Sequence, residues 1–234
     1  MTTAARAPIG VLGGMGPLAS AEFLKTIYEI DIPGPEQNAP PVVLHSDPSM
    51  PDRTSAFLNG NTAIVLERFV DALQKLDREG VSKIVVCCIT IHYLLPQLPP
   101  ALRARVVSLL DVIADTIGRT ADRHLLLCTT GTRQLRLFET HAAWPAMKDR
   151  LVMPDDGDQQ EVHKTIYQVK EGADVQILVR LVTRLLEKYK VSSFVAGCTE
   201  IHFASKHFTG ANGAPHRCVD PLLIIANDVA RGQL

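Results

Sequence analysis

Little in this sequence suits a nucleic acid, a membrane or an oxidising compartment. Aromatic residues make up 5% of its 234 positions, with a single Trp, too few for a base-stacking platform. Neither sign of charge dominates. Its 24 Lys and Arg face 25 Asp and Glu, for a formal net charge of −1, which excludes a basic nucleic-acid footprint and leaves no block of like charge to act as an interaction tail. No apolar run approaches the roughly 20 residues of a membrane-spanning helix. Met1 to Ala7 lack the apolar segment and cleavage site of a signal peptide. The five cysteines, Cys87, Cys88, Cys128, Cys198 and Cys218, form an odd set without framework spacing. The expectation is therefore a cytoplasmic protein with free thiols, whose partners are small molecules or a second copy of itself.

What is present is a soluble globular composition, 46% hydrophobic and 21% charged, enough for one large core or two smaller ones. The most informative stretch is Phe194-Val195-Ala196-Gly197-Cys198-Thr199-Glu200-Ile201-His202. It reads as a buried strand that runs to a glycine, presents one cysteine and turns into a helix. The glycine allows close approach of a ligand, and the free N–H groups of the helix start would favour a thiolate. A second copy runs from Lys83 to His92 around Cys88, again with Ile and His at the third and fourth positions after the cysteine. By the period-two alternation of a strand, Cys87 faces the side opposite Cys88 and belongs to the core. Cys128 and Cys218 read as small core hydrophobes. The Cys-x₃-His spacing also admits a tetrahedral zinc site from Cys88, His92, Cys198 and His202. Each cysteine precedes its helix, however, so the four need not converge, and the expectation is no metal, with both histidines bonding to backbone near their helix starts.

The rest of the chain alternates. Pro8 to Leu12 is a strand followed by the loop Gly13-Gly14-Met15-Gly16-Pro17 and a helix from Leu18 to Tyr28. The loop suits an anion, carboxylate or phosphate, but lacks the order of a dinucleotide fingerprint and the Lys of a P-loop. Pro41 to His45 is a strand, and Ser46 to Thr54 an extended loop whose Arg53 has the planar fork to clamp a carboxylate. Thr62 to Glu79 is an amphipathic helix. Val106 to Leu110 is a strand candidate and Asp111 to Thr120 a helix. At His124 the pattern restarts, with a strand into the small-residue loop Thr129-Thr130-Gly131-Thr132, a long helix from Gln159 to Lys170, an amphipathic helix from Val175 to Tyr189, the Cys198 strand, and a closing helix from Cys218 onward. Strands alternating with helices predict an α/β protein with parallel sheets. The restart predicts two similar halves, 1–120 and 121–234, with the closing helix free to cross over. Ligands in such sheets bind at the carboxyl ends of strands, which brings both cysteines to one cleft.

With these residues in place, the chain resembles the aspartate/glutamate racemase family, in its aspartate racemase branch. The matching stretches are Ile9 to Pro17, Pro51-Asp52-Arg53-Thr54, the Cys88 segment with Thr90 and His92, Thr130-Gly131-Thr132, Ile166-Tyr167 with Lys170 and Gly172, and Gly197-Cys198-Thr199-Glu200, in the family's order over nearly the whole chain. The resemblance implies two Rossmann-like halves, a homodimer, no cofactor, and a site between the halves where one cysteine removes the α-proton of an acidic amino acid and the other returns it on the opposite face. By position Cys88 and Cys198 take those catalytic roles. Met15, Arg53, Thr90, Thr130, Thr132, Tyr167, Lys170, Thr199 and Glu200 stand where the substrate binds, Arg53 on its distal carboxylate. Two departures bear on substrate identity more than on proton transfer. Ile89 stands where the family usually has Asn, and Lys170 follows Tyr167 by three positions rather than four, still on one helix face. The alternatives left open are an isomerase or decarboxylase of another small carboxylic acid in the same cleft, and a homologue that binds an amino acid or dicarboxylate without turning it over.

Overall fold

A computed structural model of the chain describes residues 6–30, 34–210 and 217–234. Its strands are β1 (Ile9–Gly13), β2 (Val42–Ser46), β3 (Ile84–Val86), β4 (Val106–Val107), β5 (His124–Cys128), β6 (Leu151–Val152), β7 (Ser193–Gly197) and β8 (Arg217–Val219). They form two four-stranded sheets, ordered β2-β1-β3-β4 and β6-β5-β7-β8, parallel at every pairing. The first half contributes helices α1 (Pro17–Glu29), α2 (Arg53–Leu58), α3 (Thr62–Arg78), α4 (Pro100–Arg103) and α5 (Leu109–Gly118). The second contributes α6 (Thr130–Gln134), α7 (Trp144–Met147), α8 (Asp156–Lys170), α9 (Gln176–Tyr189), α10 (His202–Gly210) and α11 (Pro221–Ala230). Two parallel sheets flanked by helices is the α/β architecture that the strand–helix alternation predicts.

The central strands β1, β5 and β7 are buried along their whole length, as apolar strands covered on both faces must be. Their alternate side chains divide between two layers. Val11, Val85, Leu126 and Val195 point into one shared core that also takes in Phe23 of α1, Ile113 of α5 and Ile225 of α11. Leu12, Ile84 and Val86 face the outer layer of α3, with Phe69, Leu73 and Leu76. Leu125, Leu127, Phe194 and Ala196 face the outer layer of α8 and α9. The alternation continues past the end of β3. Cys87 goes to the shared core, and Cys88 goes to the other side.

Several boundaries differ from the sequence expectation, each for a local reason. The strand expected through Leu110 stops at Val107, because Ser108 caps α5 by accepting from the Asp111 N–H at 3.1 Å; a Ser cap outweighs the apolar run that follows it. The loop expected through Thr54 ends at Asp52, whose carboxylate accepts from the Ser55 N–H at 2.8 Å and starts α2 at Arg53. The small-residue loop after β5 is helix α6, capped by Thr129. Strands β6 and β8 are too short to show a period, and Cys218 belongs to β8 rather than to the closing helix.

Gly197 has a second reason to be glycine. A Cβ there would lie 2.8 Å from Leu126 Cδ1, 2.9 Å from Cys128 Cβ and 2.9 Å from the Leu127 carbonyl oxygen, so neighbouring strand β5 requires its absence whether or not a ligand approaches. Gly197→Ala should lower stability by about 1–3 kcal/mol through overpacking. Gly118→Ala, at the end of α5 with nothing within 4 Å, should be neutral or stabilising by up to about 1 kcal/mol. Urea denaturation midpoints at unchanged m-value check both.

Candidate active site

The carboxyl ends of β1, β2, β3, β5 and β7 all open toward one cleft between the halves. Met15 comes from the loop after β1, Asp52, Arg53 and Thr54 from the start of α2, and Cys88 and Thr90 from the segment after β3. The second half supplies Thr129, Lys170, Cys198, Thr199 and Glu200. The space they enclose is about 10 Å³, near the volume that one water needs. Of the residues picked from sequence, Met15, Arg53, Cys88, Thr90, Lys170, Cys198, Thr199 and Glu200 meet here. Thr130, Thr132 and Tyr167 stand one step back. The Thr130 N–H donates to His163 Nδ1 at 3.2 Å, the Thr132 hydroxyl lies 2.9 Å from that of Thr90, and Tyr167 donates its hydroxyl to Asp52 at 2.7 Å.

Asp52, Thr54 and Thr129 line the cleft without having been singled out. Asp52 and Thr129 both sit one residue before a short helix as its cap, and a Pro-Asp or Thr-Thr-Gly-Thr helix start is the signal that marks them. The hydroxyls of Thr90, Thr129 and Thr132 form a buried cluster of mutual contacts at 2.9–3.3 Å across the two halves. Ile89 takes no part. Its side chain is buried in the shared core with Cys87 and Leu126, so the position after the cysteine does not face the cleft.

The two cysteines are equally buried, at 6% exposure, but they have opposite neighbours. Arg53 sits beside Cys88. Burial works against its guanidinium, yet the negative charge of Cys88, Asp52 and Glu200 outweighs that and raises its pKa. Its fork is largely occupied by main-chain carbonyls: Nη1 donates to Met50 at 3.2 Å and Pro51 at 2.8 Å, and Nη2 to Met15 at 2.7 Å. Nε is buried without a partner. Arg53 thus pins two loops together and leaves one face of its fork available.

Cys198 has a carboxylate instead. Its Sγ lies 2.8 Å from Glu200 Oε2, to which the thiol donates. Burial and then the charge of Glu200 hold its pKa well above that of a free thiol. This corrects the expectation that a helix start favours the thiolate at Cys198. The 3₁₀ turn Thr199–Ile201 runs straight into α10, but burial first and then the Glu200 carboxylate within the turn outweigh the free N–H groups. Glu200 Oε1 is buried and unpartnered. It lies so close to Gly16 that a Cβ there would be 2.0 Å away. Lys170 points in from α8, its Nζ 4.7 Å from the centre of the Tyr167 ring. Burial disfavours its ammonium, but Glu200, Cys198 and Cys88 more than compensate and raise its pKa.

One step back from the cleft, burial pushes the Tyr167 hydroxyl up to about 12, with the Asp52 carboxylate adding to it. Burial also works against the Asp52 carboxylate, but the Ser55 N–H and the Tyr167 hydroxyl keep its pKa low. The two histidines of the repeated motif face away. His92 contacts the Cys88 carbonyl and the Leu109 N–H; His202 contacts Asp220 and Thr26. With both ring nitrogens of each engaged, neither offers a ligand to the cysteines, and among the described residues no group of three or more His, Cys, Asp or Glu is placed to hold a metal. His202 differs from its expectation in bonding side chains rather than backbone. No helix among the described residues is long and apolar enough to cross a membrane.

Glu200→Gln removes the negative charge that raises the Cys198 pKa, so the thiolate fraction at fixed pH should rise. A one-unit fall raises that fraction about tenfold where the thiol is mostly protonated. The weaker nucleophilicity of a more acidic thiol offsets part of this, leaving alkylation of Cys198 roughly threefold faster. Site-resolved mass spectrometry after timed iodoacetamide exposure at pH 8 checks it. An unchanged or slower rate would remove Glu200 as the source of the shift.

The profile of the Asp/Glu/Hydantoin racemase family matches residues 12–229. The broad specificity amino-acid racemase RacX of Bacillus subtilis is 23% identical over 207 residues, covering 85% of this chain and 88% of that protein. Among solved structures, an aspartate racemase from Picrophilus torridus aligns over 97% of this chain and 94% of its own, with a TM-score of 0.80 at 20% identity. A glutamate racemase from Francisella tularensis, in complex with D-glutamate, aligns over 97% and 81%, with a TM-score of 0.63 at 16% identity. These structural likenesses establish the two-sheet fold.

Proposed function

Because the chain belongs to the Asp/Glu/Hydantoin racemase family and is therefore an isomerase, we propose that it interconverts the enantiomers of an amino acid, aspartate or a related acidic one, by proton transfer between Cys88 and Cys198. The observation that carries this reading is the pairing of two equally buried cysteines, one from each half, with opposite electrostatic neighbours in one cleft. Cys88 beside a guanidinium is suited to act first as thiolate base, and Cys198 with its proton donated to Glu200 is suited to act first as acid.

In one direction the Cys88 sulfur takes the α-proton from one face of the substrate, and the electron pair of the broken C–H bond stays on the α-carbon. That carbon takes the Cys198 proton on its other face. The cycle ends with thiol at Cys88 and thiolate at Cys198, the starting state for the opposite enantiomer. The developing negative charge needs fixed donors in a site with little water. Lys170, the free face of Arg53 and the hydroxyls of Thr90 and Thr129 are available. The unpartnered Arg53 Nε and Glu200 Oε1 want an acceptor and a donor respectively, which a carboxylate and an ammonium on one molecule supply.

A broader substrate range has its own support. Most of the Arg53 fork is occupied by main-chain carbonyls, which weakens the demand for a second carboxylate. The relative RacX is named for broad specificity. Both readings are tested together by proton NMR in heavy water with each enantiomer of aspartate and glutamate and a panel of neutral and basic amino acids, no cofactor added. The α-proton signal should disappear as the opposite enantiomer accumulates, and Cys88→Ala or Cys198→Ala should each lower racemisation by at least about a thousandfold, the order expected when a reaction loses its acid or its base. Full racemisation by either variant would sink the two-base mechanism. Exchange restricted to acidic substrates would favour the narrower range.

A further inference from the structure

Each copy of the cysteine motif carries a histidine four residues on, and the two imidazoles serve different ends. His92 is buried at 2% exposure. Its Nδ1 lies 2.9 Å from the carbonyl oxygen of Cys88, and its Nε2 accepts the Leu109 N–H at 3.1 Å. That N–H is the first of α5, a donor with no partner inside the helix. A ring nitrogen that accepts carries no proton, so the proton of the neutral imidazole is on Nδ1 and is donated to Cys88. Burial lowers the pKa of His92 to about 4, which keeps the ring neutral and this tautomer in place. His202 instead reaches Asp220 Oδ2 at 2.6 Å and Thr26 Oγ1 of α1 at 2.9 Å, joining the halves without touching Cys198.

We infer that His92 is a positioning residue for Cys88, clamping the cysteine's carbonyl to the start of α5 and so holding the sulfur beside Arg53. The need is local. The ladder of β3 ends at Val86; past it the Cys87 N–H still donates to the Leu12 carbonyl at 2.9 Å and the Cys88 N–H to that of Val86 at 2.7 Å, while the Cys88 carbonyl is held by the side chain four residues on. The Cys198 carbonyl is held instead by a main-chain donor, the Ile201 N–H at 3.0 Å, and its sulfur donates to Glu200. The two thiols are therefore held by different means, and damage to His92 falls on one of them.

The inference rests on Cys88 being one of the two proton carriers, and its test has one arm that does not. His92→Asn places an amide N–H near the position of Nδ1 and keeps the bond to Cys88. His92→Gln places an amide oxygen near the position of Nε2 and keeps the bond to Leu109 instead. Cys88 alkylation by iodoacetamide, measured against Cys218 in the same sample, should slow about threefold in His92→Gln, a one-unit change at the sulfur offset in part by the stronger nucleophilicity of a less acidic thiol, and stay at the wild-type rate in His92→Asn. Equal slowing in both, or none in either, would overturn the inference even if the chain racemises no amino acid tried. If His92→Gln does not fold, the Asn variant decides alone, because loss of Cys88 reactivity with the donor retained would contradict the clamp.

Where racemisation is observed, α-deuterated substrates give the second arm. In His92→Gln the isotope effect on kcat/KM should rise for the enantiomer whose proton goes to Cys88. It should fall toward unity for the other, because return of a proton from Cys88 becomes the slow step. Parallel loss of rate in both directions with unchanged isotope effects would mean a merely structural role.

Discussion

The contact between the two sheets is the constraint on which everything else depends. Side chains from β1, β3, β5, β7 and β8 enter one apolar core together with α1, α5 and α11, so the two halves share a single interior. Because strand side chains alternate, whatever does not enter that core faces the outer layers or, past the strand ends, the cleft. Val85 and Cys87 go inward while Val86 and Cys88 go outward. Val195 goes inward while Ala196 and Cys198 go outward. The apolar residues thereby set where two thiols meet, and a one-residue slip in either strand would exchange a cleft residue for a core residue.

Once two chemically identical groups share a cleft, only their surroundings can make them different. Charges interact more strongly in a buried cleft than in water, so the neighbour of each thiol counts. Arg53 on one side and Glu200 on the other supply charges of opposite sign, and Lys170 stands where it is felt by both cysteines and by Glu200. The cleft is kept from accumulating one sign of charge by placing a cation and an anion against different cysteines. Gly16 belongs to the same arrangement, since its lack of a side chain makes room for the Glu200 carboxylate.

Strand and helix order were legible in the sequence because long apolar periods encode them, and the repeat of a cysteine at a strand end disclosed two equivalent halves. Short elements were not legible. Two-residue strands such as β6 have no period to read, and the helix starts at Asp52 and Ser108 turn on one side-chain oxygen each. Eight residues picked from sequence line a single cleft, but their bonds could not be foreseen. That Arg53 grips main-chain carbonyls, that Cys198 donates to Glu200, and that Ile89 turns into the shared core are consequences of tertiary packing. The local sequence around each of them is equally compatible with other orientations.

The arrangement around Asp52 ties the cleft residues of one half to those of the other. Asp52 does two things with one carboxylate: it caps α2, whose first residue is Arg53, and it accepts the hydroxyl of Tyr167 from α8 in the other half. Tyr167 in turn carries Lys170 over its ring one helical turn on. One carboxylate therefore fixes the start of the helix that carries Arg53 and the turn of α8 that carries Lys170, so the two cations of the cleft are positioned from opposite halves by a single shared acceptor.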